Sequence, residues 1–308
     1  MENHTKIFSS SKNFHLAGIV PVAGQPLDFG LPWHDSCMPI AKNLLAVERS
    51  VIECAYAGCE TIWIVCNDDI QPLIRYRIGD WINDPVWISR KHDFRPSENR
   101  KQIPIFYVPI HPKDRDKRDC LAWSVLHGAA SAYSVGLTIS KWVTPDRYYT
   151  SFPYGVYPFE FIRDYRKQIS SREGFMLRHQ GKTVQDGEYL GFTFTDKDFV
   201  AIRKHFRQNS TGMYKSTLDG SIPRDKLPLH ERYSARNFSL EEVFEILENG
   251  DTKTVDCDWY HKIDNWESYC SYLGSGEKDK ISRPSKLLFS YREFNRVGQD
   301  SEEPELGD

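Results

Sequence analysis

The chain has 308 residues, 40% of them hydrophobic and 27% charged, a balance that excludes a coiled coil, a collagen-like repeat and wholesale disorder. Forty Lys and Arg against 43 Asp and Glu leave a formal charge of −3, which supplies no global field for nucleic acid or an anionic membrane, so neither partner is expected. Seven Cys with no C-x-x-C pair and no run of the roughly 18 apolar residues a membrane span requires fit a cytoplasmic protein with reduced thiols.

Residues 1–13 are polar and read as a flexible N-terminus. The apolar run from His15 to Val22 predicts a buried first strand that ends in the turn Ala23-Gly24-Gln25-Pro26. From Pro39 onward, Leu44, Leu45, Val47, Val51, Ile52, Ala55 and Tyr56 recur at helical spacing up to Gly58, predicting a helix of about five turns with a glycine C-cap. Thr61 to Cys66 is a continuous apolar run suited to a strand covered on both faces. Asn67-Asp68-Asp69 follow at its carboxyl end, where ligands of open α/β sheets gather. A helix over 70–82, a strand over 103–109, a charged loop over 111–119 and a small-residue helix over 120–135 come next. Trp142 to Asp146 reads as a strand ending in an acid, so residues 14–150 predict a doubly wound half.

The second half, 151–297, is less regular. An aromatic, Pro-rich stretch over 151–158 precedes a helix over 159–168 and a strand over 187–194, and Asp196 caps a further helix. Residues 209–236 lack periodicity and suggest a long excursion or lid. Ser239-Leu240-Glu241-Glu242 is a capping box, a last helix covers 266–273, and the acidic, Gly-containing tail 298–308 is expected to be disordered.

Four segments carry a family resemblance: Gly18-Ile19-Val20-Pro21-Val22-Ala23-Gly24, Pro39-Ile40-Ala41-Lys42-Asn43-Leu44-Leu45, Ala57-Gly58-Cys59-Glu60-Thr61-Ile62-Trp63-Ile64-Val65, and Trp259-Tyr260-His261-Lys262-Ile263-Asp264-Asn265-Trp266-Glu267-Ser268-Tyr269. In that order they resemble the landmarks of the sugar-phosphate nucleotidyltransferases, a GT-A-like, nucleotide-diphosphosugar transferase family. In that family a strand-turn cradles the nucleotide, an acid ends the strand of the metal site, and a late W-x-D-x-x-T-x-E-D-Y-like segment supplies a second metal-binding acid. The resemblance implies a three-layer α/β/α, Rossmann-like fold with a mostly parallel mixed sheet. It also implies Mg²⁺-dependent (or Mn²⁺-dependent) joining of a sugar 1-phosphate to a nucleoside triphosphate, with release of pyrophosphate. By the same resemblance Asp146 and Asp264 are the catalytic, metal-holding carboxylates, and Ala23, Gly24, Gln25, Asp119, Glu188 and Tyr189 are the contacts to nucleotide and sugar.

The chemistry is coherent. Backbone N–H groups of a turn receive phosphate oxygens, and two carboxylates hold a hard cation over them. Alternatives stay open at several positions: Asp119 is a helix cap or a ligand contact, Asp146 and Asp264 also suit a turn and a cap, and Gly187 to Gly191 is a sugar-reading segment or a bulged strand. Two positions depart from the family, with Asp28 at the place of a phosphate-binding Arg and Asp35 at that of a Lys. Anions there repel a triphosphate. Compensating cations are available in Arg115, Lys117 and Arg118, or in Lys42 and Arg49. The departures favour a second reading, glycosyl transfer from a nucleotide sugar on the same fold, and a third is a catalytically silent binding or structural protein that kept the fold.

Overall fold

The computed structural model describes residues 14–24, 27, 29–88, 101–112, 120–139, 144–209, 225, 228, 238–247, 252–284 and 289. The N-terminus 1–13, residues 210–224 of the predicted excursion and the tail 298–308 lie outside the described residues. The first apolar run forms β1 (Leu16–Pro21), buried along its whole length. Successive strand side chains face opposite sides, and β1 divides them accordingly: Leu16 and Val20 enter one hydrophobic core, Ala17 and Ile19 the other.

The helix read from residue 39 begins later. Residues 39–45 fold back as a hairpin, β2 (Pro39–Ala41) and β3 (Leu44–Leu45), around Asn43 at φ 60°. Only then does α1 (Ala46–Ala57) start, its first turn closed by the Leu45 N–H donating to Glu48 Oε2 at 2.9 Å. It ends at Gly58, whose φ of 92° is the left-handed C-cap conformation that glycine adopts without strain. After β4 (Thr61–Val65), the segment read as one helix splits into α2 (Gln71–Ile78) and a short strand, β5 (Trp81–Asn83). The chain continues through α3 (Pro85–Ile88), β6 (Gln102–Val108) and α4 (Leu121–Ile139). α4 approaches the sheet closely: a Cβ on Gly128 would lie 2.8 Å from Val65 Cγ2 and 2.9 Å from Ile19 Cγ2.

The remaining elements are β7 (Arg147–Thr150), β8 (Gly155–Val156), α5 (Ile162–Ile169), β9 (Gly174–Arg178), β10 (Phe192–Phe194), α6 (Asp196–Asn209), α7 (Leu240–Phe244), β11 (Thr252–Asp256), β12 (His261–Lys262) and α8 (Trp266–Gly274). β9 and β11 had no counterpart in the sequence reading, and of the strand read over 187–194 only its last three residues pair as β10.

Eight strands form one sheet in the order β11-β9-β10-β7-β1-β4-β6-β5. β7, β1, β4 and β6 pair in parallel, as do β11 and β9, whereas β10 and β5 run antiparallel to their neighbours. α1, α2, α5 and α8 contribute to the core on one face, and α4, α6 and α7 to the core on the other. The architecture is three-layer α/β/α with a mostly parallel mixed sheet. Parallel strands side by side bring their carboxyl ends to one edge, and in such sheets that edge is where ligands bind.

Candidate functional site at the carboxyl edge of the sheet

β1 runs into a turn held by its neighbours. The Val22 and Ala23 N–H groups donate to Val65 O at 2.9 and 2.7 Å. Ser124 Oγ of α4 donates to Ala23 O, and a Cβ on Gly24 would lie 3.1 Å from Leu121 N. Ala23 and Gly24 therefore sit against the first turn of α4. Gln25 and Asp28 lie outside the described residues, as do Asp119 and the basic residues of 113–119. Beyond the turn, Leu27 N–H donates to Asp35 Oδ2 at 2.7 Å, and Phe29 stacks on Tyr269 at 5.8 Å with Trp266 edge-on at 5.7 Å. The loop thus spans from α4 to α8. Asp35 is buried and occupied by this backbone N–H, so the acid at the place of a phosphate-binding Lys serves the loop. His34 Nδ1 accepts from Ser36 N–H at 3.2 Å. Burial pushes the His34 pKa down, against the opposing pull of Asp35 and Asp69.

Under this edge lies a sealed polar cluster. Arg49 and Glu53, one turn apart on α1 and both fully buried, pair at 2.7 Å. Arg49 Nη2 donates to Phe152 O at 2.6 Å, and Glu53 Oε1 accepts the hydroxyls of Tyr149 and Tyr157 at 2.6 and 2.7 Å. Burial pulls the Arg49 pKa down, but Glu53 together with Tyr157 and Tyr149 outweighs it and the pKa is raised. Arg49 is therefore bound to the fold and does not compensate missing phosphate-binding cations. Lys42, the other cation considered for that task, is exposed in the β2–β3 turn and borders a recess with Tyr269, Leu273 and Lys278.

A second polar cluster is open. Ser151 N–H donates to Ile19 O at 3.0 Å, so the segment after β7 leaves the sheet beside the end of β1. From there Phe152 and Tyr154 approach Tyr189, with ring centroids 5.9 and 6.2 Å apart. A Cβ at Gly155 would fall 1.9 Å from Tyr189 O, so only glycine fits there. The Tyr260 hydroxyl accepts the Tyr189 N–H at 2.8 Å and donates to Glu188 Oε2 at 3.1 Å. Lys262, paired with Gly155 across β12 and β8, sets its ammonium over the Tyr189 ring at 5.2 Å. The Tyr189 hydroxyl pKa is pushed up to about 12 by burial, with Asp264 and Glu188 adding to the shift. One corner thus collects Glu188, Tyr189, Tyr260, Lys262 and Asp264, with the Lys182 ammonium 4.0 Å from Glu188 Oε1: carboxylates and hydroxyls suited to sugar hydroxyls, aromatic faces, and cations.

No family model and no curated protein matches the sequence. Solved structures do. A Bacillus anthracis protein named as a glucose-1-phosphate thymidylyltransferase, solved with sucrose, superposes over 87% of this chain and 98% of its own, with a TM-score of 0.50 and 9% identity. The fold is that of the sugar-phosphate nucleotidyltransferases. A UDP-glucose pyrophosphorylase from Acinetobacter baumannii (TM-score 0.47, 12% identity, 94% of this chain and 99% of that one) and a Vibrio cholerae nucleoside-diphosphate-sugar pyrophosphorylase (0.45, 12%, 84% and 100%) are also similar.

On this nucleotidyltransferase fold the two predicted metal carboxylates do not meet. The strand read as ending at Asp146 is in fact β7, which begins after it. β7 runs parallel to β1, so Asp146 lies at the opposite edge of the sheet from Gly24, where its Oδ2 accepts the His15 N–H at 2.9 Å. Pro145 and Asp146 precede the strand instead of closing it. The carboxyl end of β7 carries Thr150 and then Ser151-Phe152-Pro153, none of them acidic. Asp264 does lie on the Tyr189 side, exposed, with Oδ1 accepting Asn265 Nδ2 at 2.9 Å.

The register of the late segment also shifts. Asn265 is the N-cap of α8, its side chain accepting from Ser268 N. It therefore fills the place of the family's Thr, with Glu267 and Tyr269 following at the family's spacing. Three residues before the cap, where the nucleotidyltransferase pattern has its acid, stands Lys262. Among the described residues no three His, Cys, Asp or Glu side chains converge as a metal site, and the residues at the two acid places do not fit a divalent cation. Tyr260 and Lys262 were missed in the sequence reading; counting back from the capping Asn would have found the lysine.

Proposed function

We propose that the crevice binds a nucleoside-diphosphate sugar, with the nucleotide on the Ala23–Gly24 side and the sugar on the Glu188–Tyr189 corner, and that the protein is a nucleotide-sugar transferase. The observation that carries this reading is the Tyr260-clamped corner. A carboxylate, a tyrosine and an ammonium converge beside the parallel-strand edge, on a fold shared with a protein named as a glucose-1-phosphate thymidylyltransferase. In the nucleotidyl-transfer reaction, a phosphate oxygen of the sugar 1-phosphate attacks the α-phosphorus of a nucleoside triphosphate. The bond to the bridging oxygen breaks, and pyrophosphate leaves with the electron pair. In this chain Glu188 and the Tyr189 segment orient the sugar, and the α4 first turn lies beside the phosphates.

A second reading, glycosyl transfer from the nucleotide sugar to an acceptor hydroxyl, is favoured by Asp35. A buried acid committed to Leu27 N–H leaves that position without the cation that a triphosphate needs. One assay separates the two. The protein is incubated with glucose 1-phosphate and each nucleoside triphosphate while pyrophosphate release is followed, and in parallel with nucleotide sugars while binding is followed by calorimetry. Pyrophosphate formation supports nucleotidyl transfer; binding of nucleotide sugar without pyrophosphate supports glycosyl transfer. The absence of both responses would remove the nucleotide-sugar reading.

A further inference from the structure

Lys262 is a cation where the family pattern has a metal-binding acid, and the end of β7, the other acid place, is uncharged. These two changes complement one another. A divalent ion held by two carboxylates is neutral as a unit, whereas an ammonium beside an uncharged strand end brings a positive charge to that place with no ion at all. The lysine is also placed to act. Its backbone is fixed by pairing with Gly155, its nitrogen rests over the Tyr189 ring at 5.2 Å, and among the described residues it forms no ion pair. The carboxylates near it have other partners: Glu188 accepts the Tyr260 hydroxyl, and Asp264 accepts from Asn265. Below, the Arg49 guanidinium holds Phe152 O at 2.6 Å and Ser151 Oγ at 3.4 Å, so the strand end presents no oxygen cluster to a metal.

We propose that the Lys262 ammonium receives the phosphate attached to the sugar, doing the electrostatic work of a divalent cation, so that the site binds its ligand without metal. An ammonium on a four-carbon stem is a point charge suited to phosphate oxygens. The proposal rests on the nucleotide-sugar reading of the crevice.

The test is calorimetric titration of the full chain with UDP-glucose, dTDP-glucose and glucose 1-phosphate, each in EDTA and in Mg²⁺, with melting temperatures recorded for every variant. The expected result is that at least one probe binds wild type with the same Kd in both buffers. Lys262→Met should then weaken that binding about tenfold or more, the loss of one charge-assisted hydrogen bond, at a wild-type melting temperature. Lys262→Arg should retain most of the affinity, and Lys262→Asp should bind only when Mg²⁺ or Mn²⁺ is present. Wild-type binding that vanishes in EDTA, or unchanged binding by Lys262→Met, would overturn the assignment of Lys262 while leaving the nucleotide-sugar reading intact. If no probe binds wild type in either buffer, the nucleotide-sugar reading fails and the proposal fails with it.

Discussion

Two clusters of nearly the same composition lie next to each other, the Tyr157 and Tyr260 rings 6.3 Å apart. One contains Arg49, Glu53, Tyr149 and Tyr157; the other contains Lys262, Glu188, Tyr189 and Tyr260. In the first, cation and carboxylate are fully buried and paired at 2.7 Å, and both tyrosine hydroxyls are spent on the same carboxylate oxygen. In the second, the Glu188 side chain is 15% exposed and lies 4.0 Å from the Lys182 ammonium, Lys262 forms no ion pair among the described residues, and a tyrosine hydroxyl fixes backbone and carboxylate together. Residue type therefore does not tell scaffold from site. The difference is whether charge is already neutralised: a dry, closed pair ties α1 to the end of β7, while an open cation over an aromatic ring has capacity left for a ligand.

The sharpest way to break this comparison is to open the closed cluster. Glu53→Ala leaves the Arg49 charge and two tyrosine hydroxyls buried without their acceptor, and should cost about 3–5 kcal/mol of folding stability in urea unfolding. A loss below about 1 kcal/mol would mean that water reaches the pair. Tyr260→Phe should act on the open cluster instead: about 1 kcal/mol or less of stability, and about fivefold in nucleotide-sugar affinity, because Glu188 and the Tyr189 amide lose their shared partner. Equal effects on affinity from a hydroxyl-deleting Tyr157→Phe control would dissolve the distinction between the clusters.

Asp146→Ala tests the far edge of the sheet. Removing an exposed acceptor from His15 N–H should cost about 0.5–1 kcal/mol and leave ligand affinity unchanged; weakened affinity would return Asp146 to the site. The smallest effect concerns pH. Because burial holds the folded His34 below its ordinary 6.5, the unfolded chain binds that proton more readily, so this contribution to stability is present above pH 6.5 and is lost as pH falls below it. Asn keeps the capping acceptor without titrating, so the melting-temperature advantage of wild type over His34→Asn should shrink on acidification. A constant gap between pH 8 and pH 5 would contradict it.

Much of the nucleotide side was legible because it depends on local pattern. Continuous apolar runs gave β1, β4 and β6, Gly58 gave the end of α1, and the small residues of 120–135 gave a helix that touches the sheet. The misreadings share a cause. The apolar spacing across 39–45 fits a helix as well as a hairpin, and Trp142 to Asp146 looks like a strand until the pairing of Leu16 with Arg147 shows where the ladder starts. Asp146 was placed wrongly by that shift alone. Glu188, Tyr189 and Asp264 were chosen by resemblance and do lie together, but Tyr260, which joins two of them, comes from 72 residues after Glu188 and left no local signal.

By itself the sequence determined the α/β fold class and the strands β1, β4 and β6 of its first half, because burial on both faces of a parallel strand is written into consecutive residues. It also held the departures at Asp28 and Asp35, which are matters of residue identity. Only the tertiary structure decided which carboxylates share a site, that Arg49 is closed off while Lys262 is open, and that Asp146 belongs to the opposite edge. Those facts depend on strand direction and on burial by distant segments, and neither is carried by any single stretch of chain.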